Sequence, residues 1–363
     1  MTALLPLPTL TARRRLALLA GSLATALLLI VACTAFFFLR HAHARKPDVR
    51  LSEPISITVT ARPLPFLRDV PERSGFGKLT WLGSLELRSP ARPFGGFSAL
   101  ALSADGRQLV ALSDTGLWLR AEIVLRNGRP AGLKNARLGP LLGRGGQPLT
   151  HAKRNNDAEA LAFLTPGAVS GPAYVGFEQR HRVDIYDFSK TAGARFKASL
   201  PLPARARSAH RNSGIEALAL LRGPHEGTLL VLTENHVDER GNHIGWLITK
   251  GKASAITLRR RDEFSITDAA ALPDGDVVVL ERRFRFSDGV RMRLRRISAQ
   301  SIRPGALLDG EVLLAADSLY AIDNMEGLAV HRDAQGRTIL TLISDDNYNP
   351  AFQSTLLIQF ALP

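Results

Sequence analysis

A short phrase recurs five times along this chain, and it limits the possible folds more than any other feature. The copies are Ser98-Ala-Leu-Ala-Leu102, Glu159-Ala-Leu-Ala-Phe163, Glu216-Ala-Leu-Ala-Leu220, Asp268-Ala-Ala-Ala-Leu272 and Glu326-Gly-Leu-Ala-Val330. Small residues hold the second and fourth positions and apolar residues the fifth. After a turn, each copy meets a second β-rich run that ends in an acid: Asp114, Glu178, Glu234, Glu281 and Asp345-Asp346. The copies begin 52 to 61 residues apart. Strand-sized units at such a period predict an all-β repeat fold, a β-propeller. Five copies give five blades. A sixth, drawn from residues 50–90, is the alternative.

In four of the five units the first strand opens on an acid, and in all five the second closes on one. In an antiparallel hairpin those positions are neighbours at one end of the pair. Hairpins set around an axis therefore bring these carboxylates to one end of a central channel. Turns between the strands fit, with Ala104-Asp-Gly106 and Pro273-Asp-Gly275 as two of them. Leu79–Leu87 and Thr355–Leu362 are strand candidates without a complete hairpin of their own. They are expected to complete the blade begun at Glu326, closing the propeller with strands from both termini and removing open edges.

The chain has 363 residues, enough for one large domain. Three parts are expected: 1–44 as a signal peptide or membrane anchor, 45–75 as a linker with a leading strand, and 76–363 as the propeller. The first contains Arg13-Arg-Arg15, an uncharged run of 24 residues from Leu16 to Leu39, and Ala42-His-Ala44. The run is long enough to form a helix that spans a bilayer, and Ala42–Ala44 reads as a cleavage site. Both point to a periplasmic or extracytoplasmic domain, either secreted after cleavage near Ala44 or anchored through Leu16–Leu39. The single cysteine, Cys33, excludes an internal disulfide and cysteine-bound zinc. A net charge of +14 suits anionic ligands. The basic residues are scattered and no nucleic-acid motif accompanies them, so no nucleic-acid partner is expected.

The repeated acids converge with amides, arginines and histidines. Asp157, Glu159, Glu178, Glu216, Glu234, Asp268, Glu281, Glu326 and Asp345 are candidate ligands of a hard cation such as calcium. Glu159, Glu216 and Glu326 are the candidate catalytic carboxylates. Arg180, Arg282, Arg283 and His236 are candidate contacts to an anionic substrate. The same residues admit a structural reading, with acids capping backbone N–H groups and arginines neutralising the acids.

Taken in order, Phe94-Gly-Gly-Phe97, Ser113-Asp-Thr-Gly116, Asp157-Ala-Glu-Ala-Leu161, Gly214-Ile-Glu-Ala-Leu218, Leu280-Glu-Arg-Arg-Phe284, Asp323-Asn-Met-Glu-Gly-Leu328 and Ser344-Asp-Asp-Asn347 resemble the phytase-like family, also described by an esterase-like activity of phytase. The resemblance runs from about Leu79 to Leu362. It implies a propeller related to calcium-dependent phytases, with metal and substrate on one face. The expected function is that of an exported, monomeric, calcium-dependent hydrolase of phosphate esters, phosphatase/phytase-like or esterase-like, acting on a small-molecule phosphate ester or other anionic ligand and meeting the cytoplasmic membrane through its N-terminal segment. A non-catalytic, calcium-stabilised propeller that binds a ligand or envelope partner is the alternative. A carboxyl esterase ranks behind both, because no activated serine is visible. Ser98 stands where the other copies carry an acid, so the carboxylate ring is incomplete.

Overall fold

The computed structural model describes residues 51–149, 153–189, 193–207, 209–210 and 213–363. The expected leader, 1–44, lies outside them. The described residues belong to one compact unit. Among the described residues no helix is long and apolar enough to cross a membrane.

The fold is all-β. Four strands lead in: β1 (Ile55–Ser56), β2 (Thr60–Leu64), β3 (Gly75–Phe76) and β4 (Leu79–Arg88). Five antiparallel meanders follow. The first is β5 (Phe97–Leu102), β6 (Gln108–Ser113), β7 (Leu117–Arg126) and β8 (Arg129–Leu142). The second is β9 (Ala158–Phe163), β10 (Pro172–Phe177), β11 (Arg182–Asp187) and β12 (Ala194–Leu200), and the third is β13 (Ile215–Leu220), β14 (Thr228–Val237), β15 (His243–Thr249) and β16 (Lys252–Leu258). The fourth has β17 (Ser265–Ala271), β18 (Val277–Arg285), β19 (Gly289–Ile297) and, after the short β20 (Leu307–Leu308), β21 (Glu311–Ala316). The fifth has β22 (Asn324–Arg332), β23 (Thr338–Asp345) and β24 (Thr355–Leu362), beside which β4 adds as the fourth strand. A short parallel pairing of β8 with β12 joins the first two meanders into one sheet.

Strand side chains alternate between faces, so each meander has two apolar faces to bury. Five cores result, one between each pair of consecutive meanders and one between the fifth and the first. Val278 and Leu280 of β18 pack with Leu340 and Leu342 of β23, while Val277 and Val279 pack with Leu230 and Leu232 of β14. Ile343 and Leu357 pack with Leu100 and Leu109. The first strands also touch: β5 on β9, β9 on β13, β13 on β17, β17 on β22, and β22 on β5. Their middle and far ends line a cavity of about 90 Å³ that draws residues from all five. The small residues of the phrase leave room for this approach.

Within residues 45–75, expected as a linker with a leading strand, the chain from Ile55 adds short strands to the sheets. Ile55 pairs with Leu138, and β2 pairs with β4. Phe66 is fully buried and meets Phe76 and Phe360 edge-on. The stretch carries apolar residues that find a core, which its prolines obscured.

The phase of the fourth repeat differs from the sequence expectation. Every first strand carries a one-residue bulge against its second strand. The residue passed over is Ser98, Glu159, Glu216, Thr267 and Glu326 in turn. Thr267, not Asp268, is thus the counterpart of the glutamates. Side-chain bonds confirm the match. Ser98 donates to the carbonyls of Leu112 and Ala158, and Thr267 donates to those of Leu280 and Met325. Asp268 is a buried staple instead, accepting the N–H of Ala269 at 2.8 Å and of Leu328 at 2.7 Å. Asp268→Ala would leave the Leu328 N–H without its acceptor. It should lower stability by about 1–3 kcal/mol in urea unfolding.

Candidate functional site

A bulge re-aims the side chain it carries. Here the bulges sit at the strand starts, where the chain enters each meander, so Glu159, Glu216 and Glu326 are presented at one end of the first strands. The second-strand positions beside them are Asp114, Glu178, Glu234, Arg282 and Asp345. The match follows from backbone pairing: Asp114 donates its N–H to Gly96, Glu178 to Asp157 and Glu234 to Gly214. In the fourth meander the register places Glu281 opposite Ile266, which leaves Arg282 at the position of the acids.

Two groups of carboxylate oxygens result among the described residues. Asp157, Glu159 and Glu178 each offer an oxygen within 4.8 Å of the others, and so do Glu178, Glu216 and Glu234. Glu178 belongs to both. Burial, then the charges of Asp157 and Glu234, push its carboxyl up to about 7. Burial raises Glu216 well above the usual carboxylate range, helped by Glu159, Glu178, Glu234 and Glu326. Glu234 is also raised by burial, against the opposing pull of Arg282. An all-oxygen donor set with excess negative charge fits a hard cation such as calcium.

Arg282 is the counter-charge. Its Nε lies 3.2 Å from Glu326 Oε1, and its Nη2 lies 3.7 Å from Glu234 Oε1. Burial opposes its charge, yet Glu326, Glu234, Glu216 and Asp345 raise its pKa. The Nε–H is buried without an aligned hydrogen-bond acceptor. Arg282 is therefore held chiefly by charge, with its Nε turned to Glu326.

Other expected site residues are placed elsewhere. Glu281 is fully buried and taken up by arginines: Arg293 Nε at 2.7 Å, Arg295 Nε at 2.8 Å and Arg295 Nη2 at 2.6 Å. Its strand face points toward the third meander, away from Arg282. Arg283 shares that outer face and pairs with Asp288 at 2.6 Å. Arg180 is exposed on a side cavity of about 360 Å³ with Arg144 and Arg182. His236 lies three residues along from Thr233, on the rim beyond Glu234. Burial, with Arg205 and His181, lowers its pKa, and its Nε2 is buried without a hydrogen-bond partner.

Sequence reasoning passed over Asp114 as a site residue and missed the Tyr348 bracket beside it. Tyr348 Oη lies 2.8 Å from Ser113 Oγ and 2.9 Å from Thr115 Oγ1. Burial pushes its phenol up to about 12. Gly96 (φ 65°) makes this possible, since a Cβ there would fall 2.5 Å from the Tyr348 ring and 2.8 Å from Asp114. The Gly95-Gly96 pair was the available signal.

The acids carry a pH signature. Glu178 has a folded pKa near 7 against an ordinary 4.5, so its stabilising contribution is full below pH 4.5 and lost as pH rises through 7. The chelated protein should melt at progressively lower temperature from pH 5 to pH 8. Calcium should restore the difference, most strongly at the upper end. Glu178→Gln should flatten the chelated profile by an amount on the order of 1–3 kcal/mol. A melting curve that is identical in chelator and in excess calcium at pH 8 would remove the metal from the account.

No curated protein matches the chain. A family model described as "Phytase-like: Esterase-like activity of phytase" matches residues 92–348. That span takes in the five bulges, Arg282 and the Tyr348 bracket, and covers well over half of the chain, which belongs to the phytase-like family.

Proposed function

We propose that the five meanders are the blades of a five-bladed propeller, and that the protein is an exported, calcium-dependent hydrolase of phosphate esters. The family points to a phytase-like or esterase-like hydrolase. The observation that carries the finer reading is the pairing of two oxygen groups with Arg282, a partly buried guanidinium set among Glu234 and Glu326.

Asp157, Glu159, Glu178, Glu216 and Glu234 would hold the metal. When bound, the metal neutralises phosphoryl oxygens and lowers the pKa of a coordinated water. Arg282 would bind an ester oxygen through its charge and its guanidinium N–H groups. Glu326 stands beside Arg282 and outside both oxygen groups, and it would accept a proton from the attacking water while the phosphorus–oxygen bond to the alcohol breaks and the alcohol leaves with a proton from solvent. His236 and Arg205 stand at the rim beyond Glu234.

The test is turnover of a phosphate-ester panel by the domain from Arg45 onward, with calcium and with chelator. Glu326→Gln should reduce kcat about 10²–10⁴-fold while retaining the calcium-induced rise in melting temperature. Arg282→Met should chiefly raise KM. If no ester is turned over with any divalent cation while calcium still stabilises the protein, the non-catalytic binding propeller is the better reading. Export has its own check: a reporter fused to the C-terminus should be active only outside the cytoplasm, consistent with the Leu16–Leu39 run and Ala42–Ala44.

A further inference from the structure

The apolar residues left exposed are unevenly spread. Among the described residues eight large hydrophobic side chains are exposed, and four lie on three neighbouring loops at the acid end of the fourth and fifth meanders. Phe284 (55% exposed) and Phe286 (77%) belong to the β18–β19 hairpin, Leu319 (63%) to the segment entering β22, and Phe352 (48%) to the β23–β24 loop. The loops adjoin. A side chain at Gly289 would touch Ser318, and Gln353 donates to Asp323 at 3.2 Å.

Strand alternation links this patch to the site. Val278 and Leu280 face the fifth meander, and Arg282 and Phe284 continue the same face. Phe284 therefore stands about 7 Å along the strand from Arg282. Phe286 meets the Phe284 ring edge-on, with centroids 5.5 Å apart. The opposite face of the hairpin is braced. Arg283 and Arg291 pair with Asp288, Arg285 pairs with Glu263, and Arg283 donates to the Asp262 carbonyl at 2.9 Å. These charges brace the outer face of the hairpin, while beyond Arg282 its inner face presents Phe284.

We propose that Phe284, Phe286, Leu319 and Phe352 form an apolar lip that receives the alcohol portion of the substrate, so that the preferred substrate is a phosphate ester of a hydrophobic alcohol. The inference rests on the phosphate-ester reading above. Arg282 would fix the anionic end, and the lip would take the hydrocarbon that follows it. A polar polyol would leave these rings in water and gain nothing from them.

The experiment compares kcat/KM for decyl phosphate and glycerol phosphate in the calcium-loaded protein. The wild type should favour decyl phosphate. Phe284→Ser with Phe286→Ser should cut that ratio about tenfold or more, and Phe352→Ser, on a separate loop, should cut it in the same direction. Leu125→Ser, which removes an exposed apolar group from β7, should leave the ratio intact. An unchanged ratio in both lip variants overturns the proposal. If the wild type hydrolyses neither ester with any divalent cation, the hydrolase reading fails, and calorimetric binding of decyl phosphate decides the lip: weaker binding in the double variant supports it and equal binding overturns it. Loss of attachment to phosphatidylglycerol vesicles with an unchanged ester ratio would assign the patch to a membrane and also overturn the proposal.

Discussion

One extra residue at the start of each first strand governs what this fold can do. Without the bulge, Glu159, Glu216 and Glu326 would follow the strict alternation of their strands and face the apolar cores between meanders. The bulge turns them toward the shared end instead. It also puts a hydroxyl at the two remaining positions. Ser98 and Thr267 donate to the carbonyls just before Glu159 and Glu326, so each brace sets the backbone of the next glutamate. Three positions bear charge and two position it.

The resulting concentration of carboxylates opposes folding, and the rest of the structure has to outweigh it. Five inter-meander cores supply the burial. Arg282 supplies one fixed positive charge inside the cluster, at a position that is acidic in the other four meanders. A second charged network stands behind it, where Glu281, Arg293, Arg295, Asp262 and Asp309 satisfy one another. The two networks share a strand and differ in purpose. Alternation sends Glu281 to one face and Arg282 to the other, so neighbouring residues serve structure and site separately.

Much of this was legible in the sequence. The repeat gave the all-β class, the hairpin phase and the convergence of Glu159, Glu178, Glu216 and Glu234. The partnership of Leu79–Leu87 with Thr355–Leu362 was legible because each lacked a hairpin of its own. The fourth repeat was misread for a physical reason. Asp268-Ala-Ala-Ala and Leu-Glu281 copy the phrase in letters, but the bulge shifts the pairing by one residue. A one-residue slip exchanges the faces of a strand. Asp268 and Glu281 therefore became structural, and Thr267 and Arg282 took their places. The roles of Arg180 and Arg283 could not be read either, because following an acid by two residues does not say which way a loop turns.

The pairing of β4 with β24 has a consequence for how the molecule comes into being. Leu87 lies opposite Thr355, a partner far downstream. Until that partner is available, β4 offers an open edge and the fifth meander lacks its outer strand. Pairings so distant in sequence form late, because a long loop must close first. The fifth sheet thus stays incomplete until β24 has been made, and its outer strand must wait, unpaired on one edge, for a partner from the far side of five meanders.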